Sequence, residues 1–296
     1  MKRNIRFIIC LLFISLLAGC RFFNDPIRIG VDNQENAQFF KIAKNLGYLD
    51  DSFEIVEYKN RGDNVESFYM NRVDIVYSSV FDSIYFNQRG EDGKIFLMTS
   101  NSKKIRALLV NNIMKDLKGK TIAMEADTDE YIEFTKYIET LGLKKKDVDI
   151  VFATKKKASE LFINEEIDGM YYYKPFYNST LQVGKIVEGS ESLESLEEVL
   201  VVNKKILQKR KRELKKIVEA WYSILSIKVM QPEKHIKFLG NIGHEINEEY
   251  QQNYYLRADN KRLLVGKEIE KLLNEEAEEL NIEIKAAELY TDEIIK

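Results

Sequence analysis

Two stretches of this sequence, Phe68–Asp74 and Leu161–Asp168, share one outline: a helical pattern that ends in a polar turn, then a β-branched residue, an aspartate and a β-rich run. With Asp74 and Asp168 taken as equivalent, the copies stand 94 residues apart. Each reads as the joint between a helix and a strand, so the chain reads as two units that carry one joint apiece. Joints of this kind also arise by chance in α/β proteins.

The surrounding pattern fits two such units. β-rich runs at Ile27–Val31, Phe53–Tyr58, Asp74–Tyr77 and Ile95–Thr99 alternate with helical spacing over Ala37–Asn45 and at Val65, Phe68 and Tyr69. A second series follows, with strands at Ile105–Val110, Thr121–Met124, Asp149–Phe152 and Gly169–Tyr172 and helices over Thr128–Leu141 and Lys155–Ile163. Alternation of this sort predicts an α/β fold with mostly parallel sheets. After Val199–Val202 the pattern is helical: Leu214, Ile217, Val218, Trp221, Ile224 and Leu225 form one apolar stripe, Pro232 breaks it, and a last helix is expected over Asn260–Asn281. No Pro, Gly or Ser tract is long enough to serve as a flexible linker, so the two units must be closely joined.

Composition removes several kinds of chemistry. Lys and Arg number 45 against 48 Asp and Glu, a net charge of −3, which gives no electrostatic reason to expect a nucleic-acid partner. The chain has two cysteines and two histidines, His235 and His244, too few for a Cys/His metal cage, and no metal or cofactor is expected. Neither a Walker loop nor G-x-G-x-x-G is present, and no Gly-flanked serine lies near a histidine. Catalysis is therefore not expected.

The first 19 residues read as an export signal. Lys2, Arg3 and Arg6 are followed by the apolar run Phe7–Leu17, which is too short to span a bilayer. Leu17-Ala18-Gly19-Cys20 resembles the lipobox of bacterial lipoproteins. That resemblance implies cleavage before Cys20 and lipidation of its sulfur, with residues 20–25 as a tether and the protein held at the outer face of the plasma membrane or in the periplasm. An ordinary secretory signal with a chance cysteine is the alternative.

Further phrases occur in order: Ile27-Arg28-Ile29-Gly30-Val31, Ile42-Ala43-Lys44-Asn45-Leu46-Gly47-Tyr48-Leu49, Val73-Asp74-Ile75-Val76-Tyr77, Asp116-Leu117-Lys118-Gly119-Lys120-Thr121-Ile122-Ala123, Ile167-Asp168-Gly169-Met170 leading to Lys174-Pro175-Phe176, and Gly243-His244-Glu245-Ile246-Asn247. Together they resemble the solute-binding lipoproteins of ABC importers, in the branch that binds sulfonates, nitrate and pyrimidine precursors. The resemblance implies a two-lobed periplasmic-binding-protein type II fold, with mixed, mostly parallel sheets flanked by helices and a helical C-terminal region. Lobe 1 would hold residues 26–108 plus 204–296 and lobe 2 residues 109–203, with a ligand cleft between them. It also implies a monomer whose partners are a small-molecule ligand, an ABC permease and its ATPase, and the membrane through the lipid on Cys20.

Ligands of open α/β sheets collect beyond the carboxyl ends of strands. The loops Asp32–Asn36, Tyr77–Asp82, Ala126–Tyr131 and Tyr171–Asn178 are there, and in the resembling family they form the cleft. Asn33, Ser78, Ser79, Asp127, Thr128, Tyr172 and Tyr173 are the expected ligand contacts: hydroxyls and an amide for hydrogen bonds, tyrosines for ring faces. Strand alternation lets only one of the adjacent tyrosines face the cleft, and a packed strand is the other reading of that run. Where anion binders of the family present small or hydroxyl residues, this chain has Glu125, Asp127, Asp129 and Glu130, with Asp32, Glu35 and Asp82 opposite. The acids favour a cationic, amino-bearing or heterocyclic nutrient. Asp127 with Glu130, and Asp63 with Glu66, also read as helix capping boxes.

Three functions are thereby set side by side: capture of an organic nutrient for an importer, capture of a sulfonate- or nitrate-type anion, and a lipid-anchored sensing or interaction protein on the same fold. The cysteine-rich segment of pyrimidine-synthesising relatives is missing after Tyr173, which disfavours an enzyme of that sort.

Overall fold

A computed structural model describes residues 25–32, 34–90, 92–103, 106–111, 116–125, 129–173, 180, 183–188, 190, 195–243 and 267–294. The strands are β1 Ile27–Val31, β2 Phe53–Glu57, β3 Ile75–Ser79, β4 Gly93–Lys103, β5 Arg106–Asn111, β6 Thr121–Met124, β7 Asp149–Phe152, β8 Gly169–Tyr173, β9 Gly184–Ile186 and β10 Ser195–Asn203. The helices are α1 Gln34–Asn45, α2 Arg61–Tyr69, α3 Val80–Gln88, α4 Asp129–Thr140, α5 Lys155–Ile163, α6 Lys204–Lys209, α7 Lys211–Met230, α8 Pro232–Asn241 and α9 Lys267–Glu279.

The strands form two five-stranded sheets, ordered β2-β1-β3-β10-β4 and β7-β6-β8-β5-β9. These orders are the same order used twice. In each, the second strand, β1 or β6, runs parallel to its two neighbours, and the fourth strand, β10 or β5, runs antiparallel to both of its own. The chain leaves the first sheet at β4 for β5, and returns to it at β10.

The repeated joint holds each sheet together at the amino ends of its parallel strands. The Asp74 carboxylate accepts the Arg28 backbone N–H at 3.0 Å, Arg28 Nε at 3.0 Å and a second guanidinium nitrogen at 3.1 Å. Its counterpart Asp168 accepts the Thr121 backbone N–H at 2.9 Å and Lys120 Nζ at 3.2 Å. The Asp74 backbone N–H donates to Arg28 O, and the Asp168 N–H to Thr121 O, both at 2.9 Å. The antiparallel strands end on the same two residues, with Asn203 N–H on Asp74 O and Asn111 N–H on Asp168 O. Asn71 and Glu165, three residues before each aspartate, take positive φ of 54° and 60°. The similarity read from the sequence is thus one structural device built twice.

Each sheet buries its own core. On one face of the first, Phe39 stacks on Trp221 with ring centroids 4.2 Å apart, and Phe40, Ile217 and Ile224 pack around the pair. On the other face lie Phe68, Ile84, Phe86, Ile269 and Leu273. In the second sheet Phe134 and Ile138 of α4 cover one face, and Ala158 and Phe162 of α5 the other. The tail extends the first sheet past β4 through a parallel bridge between Ile95 and Tyr290. Among the described residues no helix is long and apolar enough to cross a membrane.

Three local expectations are corrected. β4 is eleven residues long, against the expected Ile95–Thr99, because it pairs with β10 along its whole length; its polar end gives no hydrophobic signal. No loop follows β3: α3 starts at Val80, directly after Ser79. The first turn of α2 is closed by Asn60, whose side-chain oxygen accepts the Asp63 N–H at 2.8 Å while its amide donates to the Asp63 carboxylate. Asp63 thus stands inside the helix and does not begin it, as expected where an asparagine is available as a cap.

Asp168 pairs nearer to solvent than Asp74, whose side chain is 14% exposed against 35%. Asp74→Ala is expected to destabilise the protein by about 2 to 3 kcal/mol and Asp168→Ala by about 1 kcal/mol in urea unfolding. His235 of α8 is 2% exposed beside Phe39, and burial, with the Lys228 charge, lowers its pKa from 6.5 to about 4. The neutral ring is the folded form, so the unfolded chain binds the proton first; stability contributed by His235 is present above pH about 6.5 and is lost as pH falls toward 4. His235→Leu should flatten the pH dependence of unfolding in that window by up to about 3 kcal/mol.

Candidate functional site

The carboxyl ends of the parallel strands part where the amino ends are clamped. β1 and β3 pair only at Ile29–Ile75 and Gly30–Val76, and β6 and β8 only at Ile122–Gly169 and Ala123–Met170. Beyond that point the Tyr77 carbonyl is taken by the side-chain amide of Asn64 at 2.9 Å. Asn64 is fully buried and lies on Gly30, where a Cβ would meet its oxygen at 2.4 Å, so glycine is required for this approach. The opening is the crevice that sheets of this kind offer to ligands.

A cavity of about 960 Å³ opens here and is lined from both sheets' sides. The first contributes Arg61, Asp63, Glu66 and Tyr69 of α2, then Phe81, Asp82 and Tyr85 of α3 with Arg89 after it. The second contributes Glu125 after β6, Tyr131 of α4, Phe152 at the end of β7 and Thr154. Thr154 caps α5, accepting the Lys157 N–H.

Arg61 and Asp82 neutralise each other. Arg61 Nε and a terminal nitrogen reach the Asp82 carboxylate at 2.9 and 2.7 Å, with side chains only 16% and 5% exposed. Arg61 also donates to the Ser79 hydroxyl. Ser79 is the N-cap of α3: its oxygen accepts the Asp82 N–H at 3.2 Å, and the Asp82 carboxylate accepts the Ser79 N–H at 3.0 Å. This corrects the acidic reading of the β3 end, because the charge of Asp82 is balanced and its oxygens are held inside the fold.

Ser78 and Ser79 are both 4% exposed, and neither lines the cavity. The Ser78 hydroxyl has no hydrogen-bond partner among the described residues. Tyr172 and Tyr173 occupy β8 opposite Ala107 and Arg106, while Tyr171 is core, edge-on to Phe134. Asn33, Asp127, Thr128, Cys20 and His244 lie outside the described residues.

Sequence reasoning passed over Arg61, Tyr77 and Glu198. The Tyr77 hydroxyl donates to Glu198 of the crossing strand β10 at 2.9 Å. Burial first, and then the charge of Glu198, raise its pKa well above the ordinary phenol value. Glu198 lies at the polar end of β10 beside Glu197, so nothing in the sequence sets it apart from a solvent-facing acid. Among the described residues no group of three or more His, Cys, Asp or Glu side chains is placed to hold a metal ion.

Residues 97–234 match the family model described as NMT1/THI5 like. The fold is that of the periplasmic binding proteins. The alkanesulfonate-binding protein SsuA of Xanthomonas axonopodis pv. citri, bound to MOPS, superposes with a TM-score of 0.70 at 14% identity, covering 90% of this chain and 99% of that one. The periplasmic aliphatic sulphonate binding protein SsuA of Escherichia coli gives 0.65 at 15% identity, covering 90% and 91%. The ligand-binding component of an ABC-type import system from Staphylococcus aureus, with zinc bound, gives 0.69 at 12% identity, covering 91% and 97%. No curated protein sequence matches significantly.

Arg61→Met leaves the Asp82 carboxylate buried without its cation and is expected to destabilise by about 3 kcal/mol; adding Asp82→Asn should restore a measurable part of the lost melting temperature.

Proposed function

We propose that this chain is the extracytoplasmic substrate-binding component of an ABC importer, a non-catalytic protein that holds a small organic solute between two lobes and delivers it to a permease. One observation carries this reading: two sheets of identical strand order, clamped at the amino ends of their strands, share a single cavity at the carboxyl ends. A solute touching both walls binds a closed form better than an open one, and that difference is what drives closure. The family model and the solved neighbours support the same reading. The leader supports tethering of the protein outside the membrane through lipid on Cys20.

The solutes named for two of the neighbours are sulfonates, and the charges of this cavity argue for a different ligand here. With Arg61 and Asp82 balanced, Asp63 and Glu66 line the cavity together with Arg89. Two carboxylates against one guanidinium favour a cationic, amino-bearing or heterocyclic solute over an anion. Ser78 keeps an unmatched buried hydroxyl but does not line the cavity, so it would reach a solute only if the cavity wall shifted on closure. Asn33, Asp127, Thr128, Tyr172 and Tyr173 complete the proposed set, whereas Ser79 is occupied as a helix cap.

Isothermal titration of the full chain in mild detergent against amines, nitrogen heterocycles and alkanesulfonates tests the proposal. An amine or heterocycle should bind, and Glu66→Gln, which removes a carboxylate from the cavity lining, should weaken an amine about threefold or more. Binding of alkanesulfonates alone would reverse the assignment of charge.

A further inference from the structure

The described lining of the cavity lies apart from the proposed contacts, toward the sheet edges that are farthest from the crossing strands. β2 and β7 are the edge strands there, and α2 and α5 follow them. This outer part is walled by rings. From the first side come Phe81 and Tyr85, centroids 4.8 Å apart and tilted by 46°. From the second come Tyr131 and Phe152, 5.8 Å apart and tilted by 59°. Phe152 is 55% exposed although it ends a strand, so a bare phenyl faces an aqueous cavity. Behind the first pair, the Arg89 guanidinium lies over the Tyr69 ring at 5.0 Å.

An exposed phenylalanine ring is unfavourably hydrated and is stabilised when a flat apolar surface displaces that water. The Lys145 ammonium lies over the Tyr131 ring at 4.7 Å and engages one of its faces, so the Phe152 ring is the more open surface for a third planar group. The carboxylates Asp63 and Glu66 in the same lining suit a ring that is neutral or positively charged.

Resting on the solute-binding reading, we propose that this outer part is an aromatic clamp, a second subsite that receives a planar aromatic or heteroaromatic ring of the solute. Tyr131 and Phe152 are its specificity-determining residues. The inner contacts hold the polar part of the solute, and the clamp selects for the ring.

The test compares ring compounds with saturated partners of the same charge: benzylamine against cyclohexylmethylamine, and benzenesulfonate against cyclohexanesulfonate. Each is titrated calorimetrically into the full chain in mild detergent, and into the Phe152→Leu and Tyr131→Leu variants, which keep apolar volume and lose the ring. The aromatic member of a pair should bind about tenfold tighter than its partner, and the preference should fall to about threefold or less in both variants. For Phe152→Leu, at a residue 55% exposed, affinity for the saturated partner and the melting temperature should stay as in the parent, which separates loss of the clamp from misfolding. Equal binding of ring and saturated partner, or a preference that survives both substitutions, overturns the clamp and leaves the solute-binding reading standing. Failure of all four compounds to bind the parent chain overturns the clamp and counts against the solute-binding reading as well.

Discussion

The structure depends on a carboxylate that joins two parallel strands at one end only. Asp74 draws the start of β3 against β1, and Asp168 draws the start of β8 against β6. Parallel strands pinned at their amino ends, and released after two residue pairs, diverge at their carboxyl ends. The same constraint built twice gives two crevices, and the crossings at β4–β5 and β9–β10 join the sheets that carry them into one chain. The ligand space is therefore a consequence of where the sheets are fastened, and the loops only decorate it.

Charge within that space is arranged in layers. The most buried acid, Asp82, is held by Arg61 and by the α3 cap, so it acts as structure. A buried pair of this sort adds little net stability, yet removal of one partner strands the other, and it fixes how α2 and α3 meet. The acids that line the cavity farther out, Asp63 and Glu66, sit on exposed helix turns where water screens them. Their influence on a ligand is long-range steering and selection of sign, while hydrogen bonding falls to the buried polar groups near the crevice.

Much of the fold was legible from periodicity. The alternation of strands and helices, the two series, and the repeat around Asp74 and Asp168 all follow from local patterns, because burial on a sheet face leaves a period of two and on a helix face a period near 3.6. What the pattern could not show was pairing at a distance. The length of β4 is set by β10, about 100 residues away in the chain, and its polar end carries no signal. The site was less legible for the same reason. Asp82 reads as a free acid until Arg61, 21 residues earlier, is seen to hold it. Phe152 reads as an ordinary strand residue until its exposure inside the cavity is known. Ser79 was recognised as polar and well placed, but a hydroxyl that caps a helix looks in sequence like one that waits for a ligand.

The central claim is that a solute bridges two walls and draws them together. The most direct test is a distance across the cavity, measured by pulsed electron resonance between spin labels at Met70 and Lys156, which are exposed and outside the cavity lining, with labels excluded from Cys10 and Cys20. The account predicts a shorter and narrower distance distribution when the tightest-binding solute is at saturation. A distribution that does not change at saturation would contradict it.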